Sequence, residues 1–202
     1  MSVEEIEEAA KLVLEGRLIA YPTDTVYGLG CNPFDSDAVD RLVKAKERLK
    51  SSLPILVSSL KEAKRLGEFS GLAAALANRF WPGPLTLVVR PRSNFPARIT
   101  GDTLLVGLRI PNHETAIRLI KECGGALIGT SANISGRPSL RTAKEVLREL
   151  EGRVDLVVDG GPASLGREST VVRVLGDEST VLRDGAISRD DILKTLPVTR
   201  VS

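Results

Sequence analysis

Apolar positions along this chain follow two patterns: helical spacing and short unbroken runs. Ile6, Ala9, Ala10, Val13 and Leu14 share one face of a helix from Val3 to Glu15, which Gly16 stops. Arg17 to Tyr21 reads as a strand ending at Pro22, and the glycine-bearing stretch Thr23 to Asn32 reads as a loop. Asp35 or Ser36 caps a helix that buries Val39, Leu42, Val43 and Ala45 and ends in Lys44-Ala-Lys-Glu-Arg48. A strand over Leu53 to Val57 precedes a capping box at Ser59 and Glu62, a short helix to Leu66, and a helix from Gly71 to Phe80 behind a Ser70 cap. Trp81-Pro-Gly-Pro84 is a rigid turn, followed by a strand over Leu85 to Arg90 and an irregular surface segment over 91–103.

A strand over Leu104 to Ile110 carries Arg109, and Asn112 caps a helix that Gly124 and Gly125 terminate. Ala126 to Ile128 is a buried strand. Thr142 and Glu145 form a capping box for a helix to Leu150. Leu156 to Val158 is a short strand, Ser169 to Val172 begins another, and Thr180 to Arg183 returns as its hairpin partner. Ser188 and Asp191 open a last helix. Strands and helices alternate in the middle and a hairpin comes late. No repeat or linker divides the chain. Residues 1–202 therefore read as one α/β domain, a twisted mixed β-sheet flanked by helices.

Composition narrows the function classes. The 202 residues suffice for a substantial core, and a net charge of +2 with mixed signs argues against a histone-like nucleic-acid binder. Cys31 and Cys123 form no C-x-x-C pair, so they read as small apolar packing residues in a reducing, cytoplasmic setting without a zinc site or disulfide framework. No apolar run reaches membrane-spanning length, and the acidic N-terminus is unlike a signal peptide. Aromatic residues are too few for a base-stacking platform.

The candidate chemistry lies where strands give way to polar residues. Ala126-Leu-Ile-Gly-Thr-Ser-Ala-Asn-Ile-Ser-Gly136 switches from an apolar run to hydroxyls, an amide and glycine. It reads equally as a ligand-binding edge and as an ordinary turn. Thr23, Thr25, Arg109, Ser169 and Arg183 also sit at strand ends. Arg109, late in an apolar strand, either snorkels or faces an anionic ligand. Lys46 and Arg48 read as a solvated helix end or as two cations turned to one side. Converging, these groups would form a concave basic cavity for a polyanion and a small zwitterion, because cations stabilise charge developing in transfer at phosphorus. Neither nucleotide-binding glycine loop occurs, and no G-x-S-x-G elbow surrounds a serine. His113, the only histidine, reads as a solvated residue at a helix start, so a Ser-His-Asp hydrolase is disfavoured.

Several of these segments together resemble one family. Tyr21-Pro-Thr-Asp-Thr-Val-Tyr-Gly-Leu-Gly30, Lys46-Glu-Arg48, Pro82-Gly-Pro-Leu-Thr86, Gly107-Leu-Arg-Ile-Pro-Asn-His113, Thr130-Ser-Ala-Asn-Ile-Ser-Gly136, Asp159-Gly-Gly161, Ser169-Thr-Val-Val172 and Leu182-Arg183 are similar to the ordered motifs of the YrdC/Sua5 family. The resemblance implies a YrdC-like fold, in the short form without the C-terminal Sua5 domain. It also implies a threonylcarbamoyl-AMP synthase: L-threonine, bicarbonate and ATP give threonylcarbamoyl-adenylate and pyrophosphate. A downstream transferase complex would use that product for the t6A modification of tRNA.

The implied catalytic residues are Lys46, Arg48, Ser131 and Asn133. Thr25, Arg109, Thr130 and Ser169 would bind L-threonine. Lys46, Arg48, Ser131, Asn133, Ser139 and Arg183 would bind ATP. Mg²⁺ is expected to arrive with the triphosphate, held by phosphate oxygens and water rather than by protein ligands. Leu49-Lys-Ser-Ser-Leu-Pro54 is shorter than the family's usual run after its arginine, which leaves Ser52 and Lys50 as candidate contacts. The alternatives are a carbamoyl-adenylate-handling relative of the YciO or hydrogenase-maturation type, and an RNA-binding module whose basic concave face contacts tRNA.

Overall fold

The computed structural model describes residues 2–47, 52–69 and 71–195. Helix α1 (Val3–Leu14) starts at a reciprocal cap, Ser2 Oγ accepting from the Glu5 N–H and the Glu5 carboxylate from the Ser2 N–H. It buries Ile6, Ala9, Ala10 and Val13. Strand β1 (Ile19–Tyr21) pairs antiparallel with β2 (Gly28–Gly30), which the sequence reads as loop. Its glycines hide the strand because they permit close approach instead of supplying an alternating pattern. A Cβ on Gly30 would lie 2.9 Å from the Tyr21 ring. Helix α2 (Ser36–Ala45) is capped by Asp35, whose Oδ1 accepts from the N–H groups of Asp37 and Ala38 at 3.0 Å.

Strand β3 (Ile55–Val57) leads to α3 (Leu60–Leu66), capped by Ser59, and then α4 (Gly71–Phe80). The expected Ser70 cap lies outside the described residues. After the Trp81–Pro84 turn, β4 (Leu85–Val89) precedes a segment that is more ordered than its sequence suggests. Helix α5 (Ala97–Thr100) and a 3-10 turn over Gly101–Thr103 bury Ile99 completely, and the Ile99 carbonyl takes the Leu53 N–H at 3.1 Å. A single turn is too short to show apolar periodicity.

Strand β5 (Val106–Arg109) is followed by α6 (Glu114–Glu122), whose cap is His113 and not Asn112: the His113 Nδ1 accepts the Ala116 N–H at 3.4 Å. Strands β6 (Ala126–Ile128) and β7 (Thr130–Ser131) come next. Then follow α7 (Ala143–Glu149) with its capping box, β8 (Leu156–Val157), the hairpin of β9 (Thr170–Leu175) and β10 (Glu178–Arg183), and α8 (Arg189–Thr195).

The strands form two mixed sheets, ordered β7-β2-β1-β8 and β10-β9-β4-β5-β3-β6. The stretch 126–136 joins them, because β6 edges the larger sheet and β7 the smaller, with Gly129 between. A Cβ at Gly129 would stand 2.7 and 2.9 Å from the Leu56 methyls, so only glycine lets the chain cross there. Leu29 of the smaller sheet and Ile55, Leu87, Leu108 and Val172 of the larger share one core with Leu42 and Leu76. A second cluster packs α1 and α6 against Ile19, Tyr21 and Leu127. Among the described residues, no helix is long and apolar enough to cross a membrane.

Candidate active site

A cavity of about 250 Å³ opens where the two sheets adjoin. The β1–β2 connection, the end of α2, the end of β5, the loop after β7 and the base of the β9–β10 hairpin all contribute to its wall. Thr25, Lys46, Arg109, Thr130, Ser131, Asn133, Ser169 and Arg183 therefore line one hollow, although they lie far apart in sequence. Arg48 and Lys50 lie outside the described residues. Ser52 is not among the residues lining the cavity. Its backbone N–H goes to the Arg98 carbonyl at 2.9 Å.

Arg109 is only 5% exposed, so it does not snorkel. Its Nε donates to the Gly83 carbonyl at 2.9 Å, Nη1 to Thr25 Oγ1 at 2.9 Å, and Nη2 to Asp24 Oδ1. Burial lowers the Arg109 pKa, and the charge of Asp24 opposes that shift. The Thr25 hydroxyl lies 3.0 Å from that of Thr23, which donates to the Val26 carbonyl at 2.6 Å, so a chain of hydrogen bonds fixes this wall.

Lys46 caps the end of α2 and is 2% exposed, which overturns a solvated helix end for this residue. Its Nζ donates to the backbone carbonyls of Ser131 and of Asn133, the latter at 2.8 Å, while the Lys46 carbonyl takes the Ser135 N–H at 2.8 Å. The helix end and the polar loop thus hold each other. Asn133 donates through Nδ2 to the carbonyls of Ile134 at 3.0 Å and Arg137 at 2.6 Å. These two acceptors set the amide's orientation. Asn133 Oδ1 is then a buried acceptor without a partner, in a side chain that lines the cavity. An unmet acceptor in a polar hollow suits a ligand N–H or O–H.

At the base of the β9–β10 hairpin, Arg183 donates through Nη2 to the Ser169 carbonyl at 2.9 Å and to Ser169 Oγ at 3.2 Å, and through Nη1 to Glu168 Oε2. Ser169 Oγ is also 2.9 Å from Thr86 Oγ1. Ser139 does not line the cavity. Its hydroxyl donates to Glu168 Oε1 at 2.7 Å, so it meets the site through that carboxylate.

Sequence reasoning misses Asp24, Glu168, Thr86 and Arg137. Asp24 has no local signal, only the indirect one that a buried strand-end arginine requires a counter-charge, and Glu168 has none. Three other groups are poor candidates for chemistry. Both cysteines are free and buried, and burial pushes each thiol up to about 12. His113 is half-buried, where the sequence reads it as solvated: it caps α6, and its ring lies beside Gly160, where an added Cβ would stand 3.7 Å from Cε1. Burial lowers its pKa.

Known proteins share this arrangement of segments. The Sua5/yciO/yrdC family model, described as "Telomere recombination", matches residues 11–185. The threonylcarbamoyl-AMP synthase of Pyrococcus abyssi (strain GE5 / Orsay) is 40% identical over 205 residues, covering 98% of this chain and 60% of that protein. The threonylcarbamoyl-AMP synthase of Bacillus subtilis (strain 168) is 40% identical over 194 residues, covering 93% of this chain and 55% of that protein. The crystal structure of P. abyssi Sua5 complexed with L-threonine superposes with a TM-score of 0.92 at 39% identity, covering 97% of this chain and 58% of that one. The chain thus spans less than two thirds of the length of these relatives.

Proposed function

This chain belongs to the Sua5/YciO/YrdC family, and from that membership we propose that it is a threonylcarbamoyl-AMP synthase. It is a nucleotidyltransferase that joins L-threonine, bicarbonate and ATP into threonylcarbamoyl-adenylate and releases pyrophosphate. The observation that carries the reading is the convergence of Lys46, Arg109 and Arg183 with Ser131 and Asn133 on one cavity. The product serves t6A formation on tRNA, so its consumer is a transferase complex in the cytoplasm.

The chemistry follows from bringing anions together. The threonine amine bonds to the bicarbonate carbon, a carbon–oxygen bond of bicarbonate breaks and water leaves, which gives an N-carboxylate. A carboxylate oxygen attacks the α-phosphorus, and the bond to pyrophosphate breaks. Two like unit charges about 4 Å apart repel by about 4 kcal/mol at the effective dielectric of a protein surface. Cations on the wall offset that repulsion, and fixed positions raise the effective concentration of the partners. Arg109 binds the threonine carboxylate, while Thr25, Thr130 and Ser169 take its remaining polar groups. Arg183, Ser131 and Asn133 hold the nucleotide, with Ser139 acting through Glu168, and Lys46 places charge near the phosphates. Arg48 is the fourth cation of this scheme. Mg²⁺ would enter with the triphosphate, held by phosphate oxygens and water. It would neutralise phosphate charge there. No protein nucleophile is required.

Pyrophosphate release, followed by a coupled phosphate assay, should require ATP, L-threonine and bicarbonate together. Turnover of ATP that ignores threonine would sink the reading.

A further inference from the structure

The buried arginine of the site is held by an acid that does not itself face the cavity. Thr23 and Thr25 line the hollow, but Asp24 between them does not, and it is only 4% exposed. Its backbone carbonyl accepts from the Leu165 N–H at 2.9 Å and the Ser164 hydroxyl at 3.1 Å, so the segment before β9 clamps the Asp24 main chain in place. From that anchor the carboxylate reaches the back of Arg109 and takes Nη2 with one oxygen.

A guanidinium has five N–H groups in a planar fork. In Arg109 three of them meet acceptors from separate segments: Gly83, Thr25 and Asp24. One N–H remains on each Nη nitrogen. Because the side chain ends at the cavity wall, those two form the part of the fork left for an incoming carboxylate. Three acceptors on three sides fix the plane of the group. Removing the one on Nη2 lets the plane turn about its other two contacts.

We propose that Asp24 is a positioning residue for substrate-carboxylate recognition, acting through Arg109 by presenting Oδ1 to Nη2. The role rests on the synthase reading, in which Arg109 receives the threonine carboxylate. The other carboxylate oxygen, Oδ2, is buried and has no hydrogen-bond partner. Asp24→Asn therefore keeps the Oδ1 acceptor and sacrifices no hydrogen bond at the second atom. Asp24→Ala removes the acceptor. Both variants lose the counter-charge of Arg109 and should melt at a lower temperature than wild type. Only the alanine variant should lose the position of the guanidinium.

The test is steady-state pyrophosphate release by wild type, Asp24→Ala and Asp24→Asn, with L-threonine and ATP varied separately and thermal midpoints measured alongside. Asp24→Ala should raise KM for threonine at least tenfold and leave KM for ATP within about twofold. Asp24→Asn should stay within fivefold of wild type for threonine despite its lower midpoint. An asparagine variant as impaired as the alanine one, or an alanine variant with threonine KM unchanged, overturns the role of Asp24 alone. Wild-type turnover indifferent to threonine defeats the synthase reading and this role with it. If Asp24→Ala does not fold, Asp24→Asn decides: a threonine KM within fivefold supports the role, and a larger rise overturns it.

Discussion

Two carboxylate–guanidinium pairs flank the same cavity and differ in how much water reaches them. The inner pair, Arg109 with Asp24, has side chains each 6% exposed, whereas the outer pair, Arg183 with Glu168, stands 46% and 35% exposed. Within the inner pair, each charge lies away from water and is offset by the other. Removing one partner of a buried pair typically costs about 3–5 kcal/mol, because the survivor is stranded away from water. An exposed pair contributes about 0–1 kcal/mol, since water replaces either partner. The same contact is a fixed part of the frame at one wall. At the other it is a loose arrangement that an incoming polyanion can take over at small cost.

The largest effect should come from breaking the inner pair. Arg109→Ala should lower the unfolding free energy by about 3–5 kcal/mol, measured by urea denaturation, and should abolish threonine-dependent pyrophosphate release. A stability loss below about 1 kcal/mol would mean that Asp24 finds water or another partner, and the two walls would then be alike.

A smaller and differently divided effect is expected at the rim. Arg183→Gln should raise KM for ATP roughly tenfold, a loss of about 1.4 kcal/mol in binding, while stability changes by less than about 1 kcal/mol. The ATP effect should shrink at high ionic strength, because exposed charges are screened. A loss of stability matching that of Arg109→Ala would remove the distinction between frame and rim.

The same division by burial explains what the sequence could reveal. Apolar runs, glycine stops and side-chain caps are local signals, and they locate α1, α2, α6, α7 and the strands around Ile55, Leu87, Leu108 and Leu127. Strand β2 escaped because Gly28, Leu29 and Gly30 carry no alternation, and α5 because one turn has no period. Among the site residues, hydroxyls, amides and cations at strand ends were visible as chemistry out of place. The acids were not visible. Asp24 gains its meaning from Arg109, 85 positions away, and Glu168 from lying between Ser139 and Arg183. A residue whose function is to hold another leaves no pattern in its own neighbourhood. Lys46 reads two ways for the same reason: a basic helix end looks solvated until the carbonyls of Ser131 and Asn133 close over it.

His113 lies between the two extremes and should show the smallest effect. Its ring is half-buried, and burial lowers its pKa below the ordinary 6.5, with the charges of Asp24 and Glu114 opposing that shift. Its Nδ1 accepts the Ala116 N–H, so in the folded protein that nitrogen is unprotonated. The unfolded chain binds the proton more readily than the folded one, so stability is unaffected above the unfolded pKa. It declines as pH falls from about 6.5 towards the folded value and levels off below it, with a slope of at most about one proton. Urea midpoints measured between about pH 5 and pH 8 should show that decline in wild type. Asn is a strong helix cap, so His113→Asn keeps α6 capped while removing the titrating ring. The variant should lose the slope in this window and keep its stability near pH 8. A slope that persists in His113→Asn would belong to other groups, and His113 would then behave like the exposed wall rather than as an intermediate between the two.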